Sequence, residues 1–183
     1  MKKTPKYIFL DIDGVIATNE MIVHGMWGLN NKQQDLLGFI IEQTDAQIVL
    51  TSSWRHNTLE DTIDYMNEKG FRFCDRIIGI TIRGYHYIDR TQKIHLSIPR
   101  GVEIKQWIDT HIHSDNGKNY ERQIIGEDWN YVIIDDDFDM LLEHQNNFVH
   151  CDWKFGLTKT GALKAIEILN GNFSKKMKPI KSI

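Results

Sequence analysis

Two aspartates one residue apart end the first apolar run of the chain. Residues 7–10 (YIFL) have the character of a strand buried on both faces, and Asp11, Asp13 and Gly14 follow directly. In an open α/β sheet, ligands bind beyond the carboxyl ends of the strands, so both carboxylates are expected at the mouth of a site. Their equal side-chain parity predicts that they converge on one cation or phosphoryl group. Taken alone, these residues equally suit a polar turn.

Two later apolar runs also end in polar residues. Residues 47–50 (QIVL) are followed by Thr51, Ser52, Ser53, Trp54 and Arg55, and residues 131–134 (YVII) by three aspartates at 135–137, with another at 139. Because the carboxyl ends of parallel strands meet at one edge of a sheet, the three runs predict a single site that contains carboxylates and hydroxyls.

This ordered set resembles the haloacid dehalogenase (HAD) superfamily of aspartate-nucleophile phosphohydrolases. The matching stretches are DIDG at 11–14, IVLTSS at 48–53 and IIDDD at 133–137. More narrowly, SSWR at 52–55, PRGVEIKQWID at 99–109 and GLT at 156–158 resemble the HAD domain found with Swiss-army-knife RNA repair proteins. The resemblance spans about residues 6–169. It implies an α/β fold of the HAD Rossmannoid type, a three-layer sandwich with a central, mostly parallel sheet and a minimal, capless lid.

The resemblance also implies roles for the acidic residues. Asp11 is expected to attack phosphorus and form an aspartyl-phosphate, while Asp13 protonates the leaving oxygen and then deprotonates a water. A Mg²⁺ ion is expected to bridge Asp11, the backbone carbonyl of Asp13 and the carboxylate of Asp136. Asp135 is expected to ligate through water or to orient the metal's surroundings.

A hydroxyl and a cation complete the site that the resemblance implies. Ser52 is the expected ligand of a phosphoryl oxygen, and Thr51 and Ser53 are its rivals because a shift of one residue at the strand end exchanges them. Arg100 best matches the fixed cation and suits bidentate phosphate contact. Many relatives use lysine there, so Lys105 and Lys93 stay open.

Two neighbouring residues have two interpretations each. Arg55 suits substrate binding and pairing with a helix end equally well. Trp54 either stacks on a base or belongs to the core, and a tryptophan beside a strand end is more often core.

Length and composition favour one intracellular domain. The 183 residues with 41% hydrophobic content suffice for one core. We expect a single domain over residues 1–171 and a basic, mobile tail over 172–183. The two cysteines, far apart in sequence, argue against a disulfide scaffold or a zinc cluster. Because there is no apolar leader or spanning segment, we expect a soluble, cytoplasmic protein.

Charge is uneven along the chain, although its net value is only −3. Residues 72–100 contain six basic residues and only two acids. This local excess of positive charge suits either the binding of an anionic substrate or an ordinary solvated surface. We call these six the basic zone: Arg72, Arg76, Arg83, Arg90, Lys93 and Arg100.

Periodicity and turn signals predict the other elements. Helices are expected over 35–43, from 59 to about 70, over 104–112, over 138–143, and after Thr158 with Leu163, Ile166 and Leu169 inward. Strands are expected over 76–82 and 148–151, a hairpin flap over 15–31, a loop or hairpin over 84–97, and a loop over 113–130.

Neither the segment 15–46 nor the segment 55–99 has room for a full cap domain. HAD enzymes without large caps tend to act on large substrates, so the resemblance and the basic zone together favour a phosphatase that removes 3′- or 5′-terminal phosphates from nucleic-acid ends. The alternative enzyme is a phosphatase of free nucleotides or small phosphometabolites. A catalytically silent binding module is a third reading, and the presence of both Asp11 and Asp13 argues against it. The partner we expect is a phosphorylated substrate, with no membrane involved.

Overall fold

The structure is a computed structural model that describes residues 4–18, 28–89, 94–112 and 129–171. Short 3-10 turns lie at Cys74–Arg76 and Leu142–Asn147. In chain order the strands and helices of these residues are β1 (Lys6–Leu10), α1 (Asn31–Thr44), β2 (Gln47–Leu50), α2 (Leu59–Glu68), β3 (Ile77–Ile80), β4 (Tyr85–Asp89), β5 (Ile94–Ser97), α3 (Arg100–His111), β6 (Asn130–Asp135), β7 (Phe148–His150) and α4 (Lys159–Leu169).

Five strands form one parallel sheet in the order β3-β2-β1-β6-β7. Strand β1 is central, and its Leu10 pairs with Leu50 of β2 on one side and Ile134 of β6 on the other. Strands β4 and β5 form a separate antiparallel hairpin. The expected central sheet is therefore confirmed, and it is entirely parallel.

The side chains of β1 divide the core into two layers. Ile8 and Leu10 lie in a large apolar cluster with residues of α1, α2 and α4. Tyr7 and Phe9 point to the opposite face, where they join a smaller cluster that includes Trp107 of α3. Helices thus cover both faces of the sheet, which is the predicted three-layer sandwich.

The helix after Thr158 forms as predicted, but its inward face differs. The Thr158 hydroxyl accepts a hydrogen bond from the N–H of Gly161 and caps α4. Leu163 is 47% exposed, so its predicted inward position is wrong. The buried positions of α4 include the small residues Ala162 and Ala165. Because the inward face of α4 passes through Ala162 and Ala165, Leu163 lies on the outer side of the helix.

The helix predicted over 138–143 is also wrong. Residues 138–141 are not helical, and a 3-10 turn covers Leu142–Asn147. Hydrogen bonds that a helix would not make hold this segment. The N–H of Asp137 donates to the side chain of Asp135 at 3.0 Å, and the carboxylate of Asp139 accepts from the N–H of Arg100 at 2.7 Å.

Several expectations fall on residues outside the described ranges. These are the middle of the hairpin flap (19–27), Arg90 and Lys93 of the basic zone, most of the predicted loop (113–128) and the tail (172–183). In the described part of the chain, every helix is too short or too polar to span a bilayer.

Candidate active site

Polar residues line up along the carboxyl edge of the sheet. The backbone N–H groups of Asp11, Thr51 and Thr81 donate to the carbonyls of Ile134, Leu10 and Leu50, at 3.0, 2.9 and 3.0 Å. Each of these carbonyls lies at or next to the end of a neighbouring strand. Asp135 ends β6 next to Asp11. The parallel register therefore brings two carboxylates and two hydroxyls into one row. The three sequence motifs predict the carboxylates and the hydroxyl of Thr51, whereas Thr81 follows β3 and belongs to none of the motifs.

Three carboxylates cluster at the centre of this row. Asp11, Asp135 and Asp136 each place an oxygen within 4.8 Å of the other two. Burial, and then the charge of Asp11, raises the pKa of Asp135 to about 8 and that of Asp136 to about 6. Carboxylates in this arrangement are unfavourable while all are charged, unless a cation compensates them.

The buried end of the cluster has an unused acceptor. Asp135 is 0% exposed, and its Oδ2 receives no hydrogen bond from the described residues. Oxygen ligands of this kind, held together and short of donors, suit a hard divalent cation such as Mg²⁺. The residues present therefore fit the metal that the sequence predicts.

Gly14 permits the close approach of Asp136. Its φ of +67° lies in the left-handed region that favours glycine, and a Cβ at this position would lie 2.2 Å from Asp136 Oδ2. Both the backbone conformation and the available space therefore require glycine in the DIDG stretch.

Arg100 lies against the carboxylates. Its Nη1 is 3.2 Å from Asp11 Oδ1 and 3.6 Å from Asp135 Oδ2, and it donates to the carbonyl of Thr51 at 2.6 Å. Burial alone would lower the pKa of Arg100, but Asp11 and Asp135 outweigh burial and raise it. The guanidinium is thus a fixed positive charge beside Asp11.

Of the two alternative lysines, the structure describes Lys105. Lys105 lies one and a half turns further along α3, where its Nζ is 2.9 Å from Asp109 and 3.8 Å from Glu143. Lys93 lies outside the described residues. Of the two described candidates, Arg100 is the one that the structure brings to Asp11.

The segment after β6 fixes the start of α3 and so the place of Arg100. The carboxylate of Asp139 accepts from the N–H of Arg100, and the carbonyl of Asp139 from that of Gly101 at 3.2 Å. A Cβ on Gly101 would lie 2.4 Å from the backbone nitrogen of Leu141. The carbonyl of Gly101 also lies 3.1 Å from Nε2 of the buried His144.

Asp13 turns away from the carboxylate cluster. Its side chain is exposed and accepts from the Ser53 hydroxyl at 3.1 Å and from the indole N–H of Trp54, with Nε1 3.0 Å from both oxygens. The side chain of Asp13 thus lies outside the carboxylate cluster, and its expected convergence with Asp11 on one cation or phosphoryl group stays a prediction. The carbonyl of Ile12 accepts from the backbone N–H groups of residues 15–17, so the chain turns at Ile12 and strand parity ends there.

Each of the three candidate hydroxyls has a different partner. The buried Ser52 accepts from the backbone N–H of Trp54 at 3.3 Å, which leaves its own proton for an acceptor. Thr51 is also buried, and its hydroxyl is 3.5 Å from Arg100 Nη1, while Ser53 is exposed and donates to Asp13. Ser52 therefore stays the predicted ligand of a phosphoryl oxygen.

Arg55 pairs with a helix end. Its guanidinium is 3.0 Å from Glu103 in the first turn of α3 and also donates to the hydroxyl of Thr81. The two charged side chains are 6% and 5% exposed. Burial lowers the pKa of Arg55, and Glu103 opposes this change. Arg55 is thus one half of a buried ion pair that ties the loop after β2 to α3.

The basic zone does not form one surface. Arg76 pairs with Asp45, which precedes β2 and lies at the opposite end of the sheet from the site. Arg72 pairs with Asp35 of α1. Among the described members of the zone, Arg83 and Arg100 lie at the site.

One family model matches most of the chain. It is described as the HAD domain in Swiss Army Knife RNA repair proteins, and it covers residues 7–162. The chain belongs to this family. The matched range includes all the site residues named above, and the fold is therefore the HAD-type Rossmannoid sandwich that the motifs predict. Comparisons with curated proteins and with solved structures gave no match.

Two features of this HAD domain escaped sequence reasoning. The indole of Trp54 packs partly against the core, and its N–H also donates to Asp13. Trp54 therefore belongs to both the core and the site, which were expected to be alternatives. Asp139 was noticed only as another acid, whereas its carboxylate caps Arg100. Asp139 lies four residues past the end of β6, and nothing in the sequence around it indicates that it caps the start of α3.

Proposed function

We propose that this HAD domain is a Mg²⁺-dependent phosphatase that uses Asp11 as its nucleophile and removes terminal phosphates from nucleic-acid ends. One observation carries the proposal. The carboxylate of Asp11 lies 3.2 Å from the guanidinium of Arg100 and in one cluster with the carboxylates of Asp135 and Asp136. A phosphoryl group placed there would meet a nucleophile, a fixed cation and a metal position together.

Asp11, Asp135 and Asp136 would hold the metal, and the backbone carbonyl of Asp13 is a further predicted ligand. When bound, Mg²⁺ neutralises charge on the phosphoryl oxygens and on the carboxylates. Arg100 supplies the second positive charge from the protein itself, so the nucleophile is not repelled by an uncompensated dianion.

In the first step, a carboxylate oxygen of Asp11 attacks phosphorus in line with the leaving group. A bond forms between Asp11 and phosphorus, and the bond from phosphorus to the ester oxygen breaks. Asp13 gives its proton to that oxygen, so the leaving group departs as an alcohol. Trp54 and Ser53 hold the Asp13 carboxyl group in place for this transfer.

In the second step, water attacks the phosphoryl group on Asp11. Asp13, now ionised, takes a proton from this water, and the bond between phosphorus and Asp11 breaks. Inorganic phosphate leaves, and both aspartates return to their starting states. Ser52 and Arg100 bind phosphoryl oxygens throughout.

Two observations support nucleic-acid ends as the substrate class. The family to which the chain belongs is described by its occurrence in RNA repair proteins. Asp13 and Ser53 are exposed, and the described element that follows β3 is a two-stranded hairpin, so the site suits a large substrate. The phosphate is recognised by the buried centre, and the rest of the substrate stays outside it.

The test is phosphate release from 3′-phosphorylated and 5′-phosphorylated oligoribonucleotides and from mononucleotides, each with Mg²⁺ and with EDTA. We expect Mg²⁺-dependent release from one kind of oligonucleotide end, which also fixes the polarity. Release from mononucleotides alone would replace the proposed substrate by free nucleotides. No release from any of them by folded protein would overturn the phosphatase.

A further inference from the structure

A cleft of about 540 Å³ opens between the carboxyl ends of β2 and β3 and the start of α2. Its apolar lining includes Leu59, Ile80 and Ile82, and its polar lining includes His56, Asn57 and Arg83. This volume falls in the range of about 300–1,000 Å³ that is typical of small-molecule sites. The mixed lining suits a ligand with a flat apolar part, polar edges and a negative charge.

The cleft is lined by residues that directly follow Ser53 and Trp54 in the chain. Ser53 and Trp54 bind the carboxylate of Asp13, and one wall of the cleft follows them directly at residues 55–57. From the opposite wall, the guanidinium of Arg83 donates to the carbonyl of Ser53 at 2.5 Å. The leaving group of a phosphoryl transfer must lie beside the residue that protonates it. With Asp13 as the proposed acid, the cleft would lie on the leaving-group side of the site.

Arg83 gives the cleft its positive charge. The other arginine of the lining, Arg55, is neutralised by Glu103 at 3.0 Å. Arg83 is exposed and forms no ion pair with a carboxylate whose side chain the structure describes. A guanidinium with several N–H donors facing solvent is well suited to a phosphate group.

We propose that this cleft binds the leaving group of the substrate, the nucleotide from which the terminal phosphate is removed. Its base lies against Leu59, Ile80 and Ile82, and Arg83 contacts the next phosphate along the strand. The proposal rests on the proposed function, because it takes Asp13 as the acid that faces the leaving group. It assigns an exit direction to the nucleic acid, over β2 and β3 and away from β7.

The direct test is binding without turnover. The full chain carrying Asp11→Asn is titrated, by fluorescence anisotropy, into an oligoribonucleotide with a terminal phosphate at one end and fluorescein at the other, in both polarities. Ile82→Glu and Arg83→Ala are each expected to weaken binding about tenfold, through charge repulsion and through loss of one phosphate contact. Ile82 is 66% exposed, so the glutamate is compatible with folding.

Two controls give the test its direction. Arg76→Ala removes an arginine at the opposite end of the sheet, and Trp153→Ala removes a half-exposed aromatic ring that follows β7. Neither is expected to change binding by more than about twofold. If Trp153→Ala weakens binding while Ile82→Glu and Arg83→Ala do not, the strand leaves over β7 and the proposal is wrong. Absence of any binding by the Asp11→Asn chain also contradicts it.

Turnover separates this proposal from the proposed function. In the otherwise unmodified chain, Ile82→Glu and Arg83→Ala are expected to lower kcat/KM for the oligonucleotide more than for p-nitrophenyl phosphate, chiefly through KM. Equal losses of kcat/KM for both substrates would contradict the proposed role of the cleft but would remain consistent with the proposed phosphatase activity. Cleft-dependent binding by a protein that releases no phosphate would contradict the phosphatase and, with it, the leaving-group role of the cleft, while nucleotide binding by the cleft would be retained.

Discussion

Trp54 donates its indole N–H to the carboxylate of Asp13, with Nε1 3.0 Å from both carboxylate oxygens. The Ser53 hydroxyl donates to the same carboxylate at 3.1 Å. An exposed carboxylate would otherwise rotate freely, and these contacts hold it at the side of the site away from Asp135. We infer that Trp54 positions Asp13 for proton transfer to the leaving group.

Replacing Trp54 by Phe tests this positioning. The ring still packs near Tyr65, but the donor to Asp13 is lost. We expect kcat for an oligonucleotide phosphate to fall about tenfold, because general acid catalysis weakens. The fall for p-nitrophenyl phosphate should be smaller, since nitrophenolate leaves without a proton. Trp153→Phe is the matched control, and equal losses for both substrates in Trp54→Phe would contradict a role through Asp13.

Gly14→Ala tests the space beside the proposed metal position. A Cβ at residue 14 would lie 2.2 Å from Asp136 Oδ2, so Asp136 must move, and we expect Mg²⁺ affinity to fall at least about tenfold. Isothermal titration with Mg²⁺ measures this. Gly70→Ala is the control, because Gly70 also has a positive φ of +80° but nothing lies within 4 Å of the added Cβ. It should lose about 1–2 kcal/mol of stability and keep its Mg²⁺ affinity. Equal effects of the two variants on Mg²⁺ affinity would contradict the explanation that a Cβ at residue 14 displaces Asp136.

The carboxylate cluster predicts a pH dependence of stability in EDTA. The folded pKa values of Asp135 and Asp136, about 8 and about 6, lie above the ordinary value of 3.8. The folded state therefore binds more protons than the unfolded state between about pH 4 and pH 8, and the stability from these groups is lost as pH rises through this window.

The measurement is Tm in EDTA across this window for the wild-type protein and for Asp135→Asn. Because asparagine removes the titrating charge, the variant should gain on the wild type as pH rises, and Mg²⁺ should stabilise the wild type most near pH 8. A Tm difference that stays constant with pH would show that Asp135 does not titrate in this range.

Glu103→Gln tests the buried ion pair with Arg55. The substitution leaves the guanidinium of Arg55 buried without a counter-charge, and we expect the free energy of unfolding to fall by about 3 kcal/mol. Urea denaturation measures it. Glu143→Gln removes an exposed partner of Lys105 and should change stability by less than about 0.5 kcal/mol. A Glu103→Gln chain as stable as the Glu143→Gln control would show that the pair is not structural.

The central sheet and the meeting of the three motifs at one edge could be predicted from the sequence. Buried strands with polar ends are visible as apolar runs, and parallel strands must present those ends at one edge. Asp11, Thr51 and Asp135 thus meet where the pattern predicts. The site residues of the resemblance lie at this edge too, but Arg55 is paired there with Glu103, and Lys105 lies further along α3 and pairs with Asp109.

What the sequence could not give depends on turns and on helix placement. Strand parity placed Asp13 beside Asp11, but the turn around the Ile12 carbonyl sends its side chain to Trp54. The choice of Arg100 over Lys105 required the position of α3, which Asp139 sets from another segment. The contacts of Trp54 with Asp13 and of Asp139 with Arg100 join residues about 40 positions apart in the chain, so a local sequence pattern cannot predict them.

The most direct test of the account is phosphate release by Asp11→Asn, beside the wild-type protein, from the oligonucleotide end that the wild type prefers, with Mg²⁺ present. Asparagine keeps the size of the side chain but removes the attacking carboxylate. We predict an unchanged fold by circular dichroism and a loss of at least about a thousandfold in kcat. A variant that releases phosphate at the wild-type rate would contradict Asp11 as the nucleophile, and with it the mechanism proposed for this HAD domain.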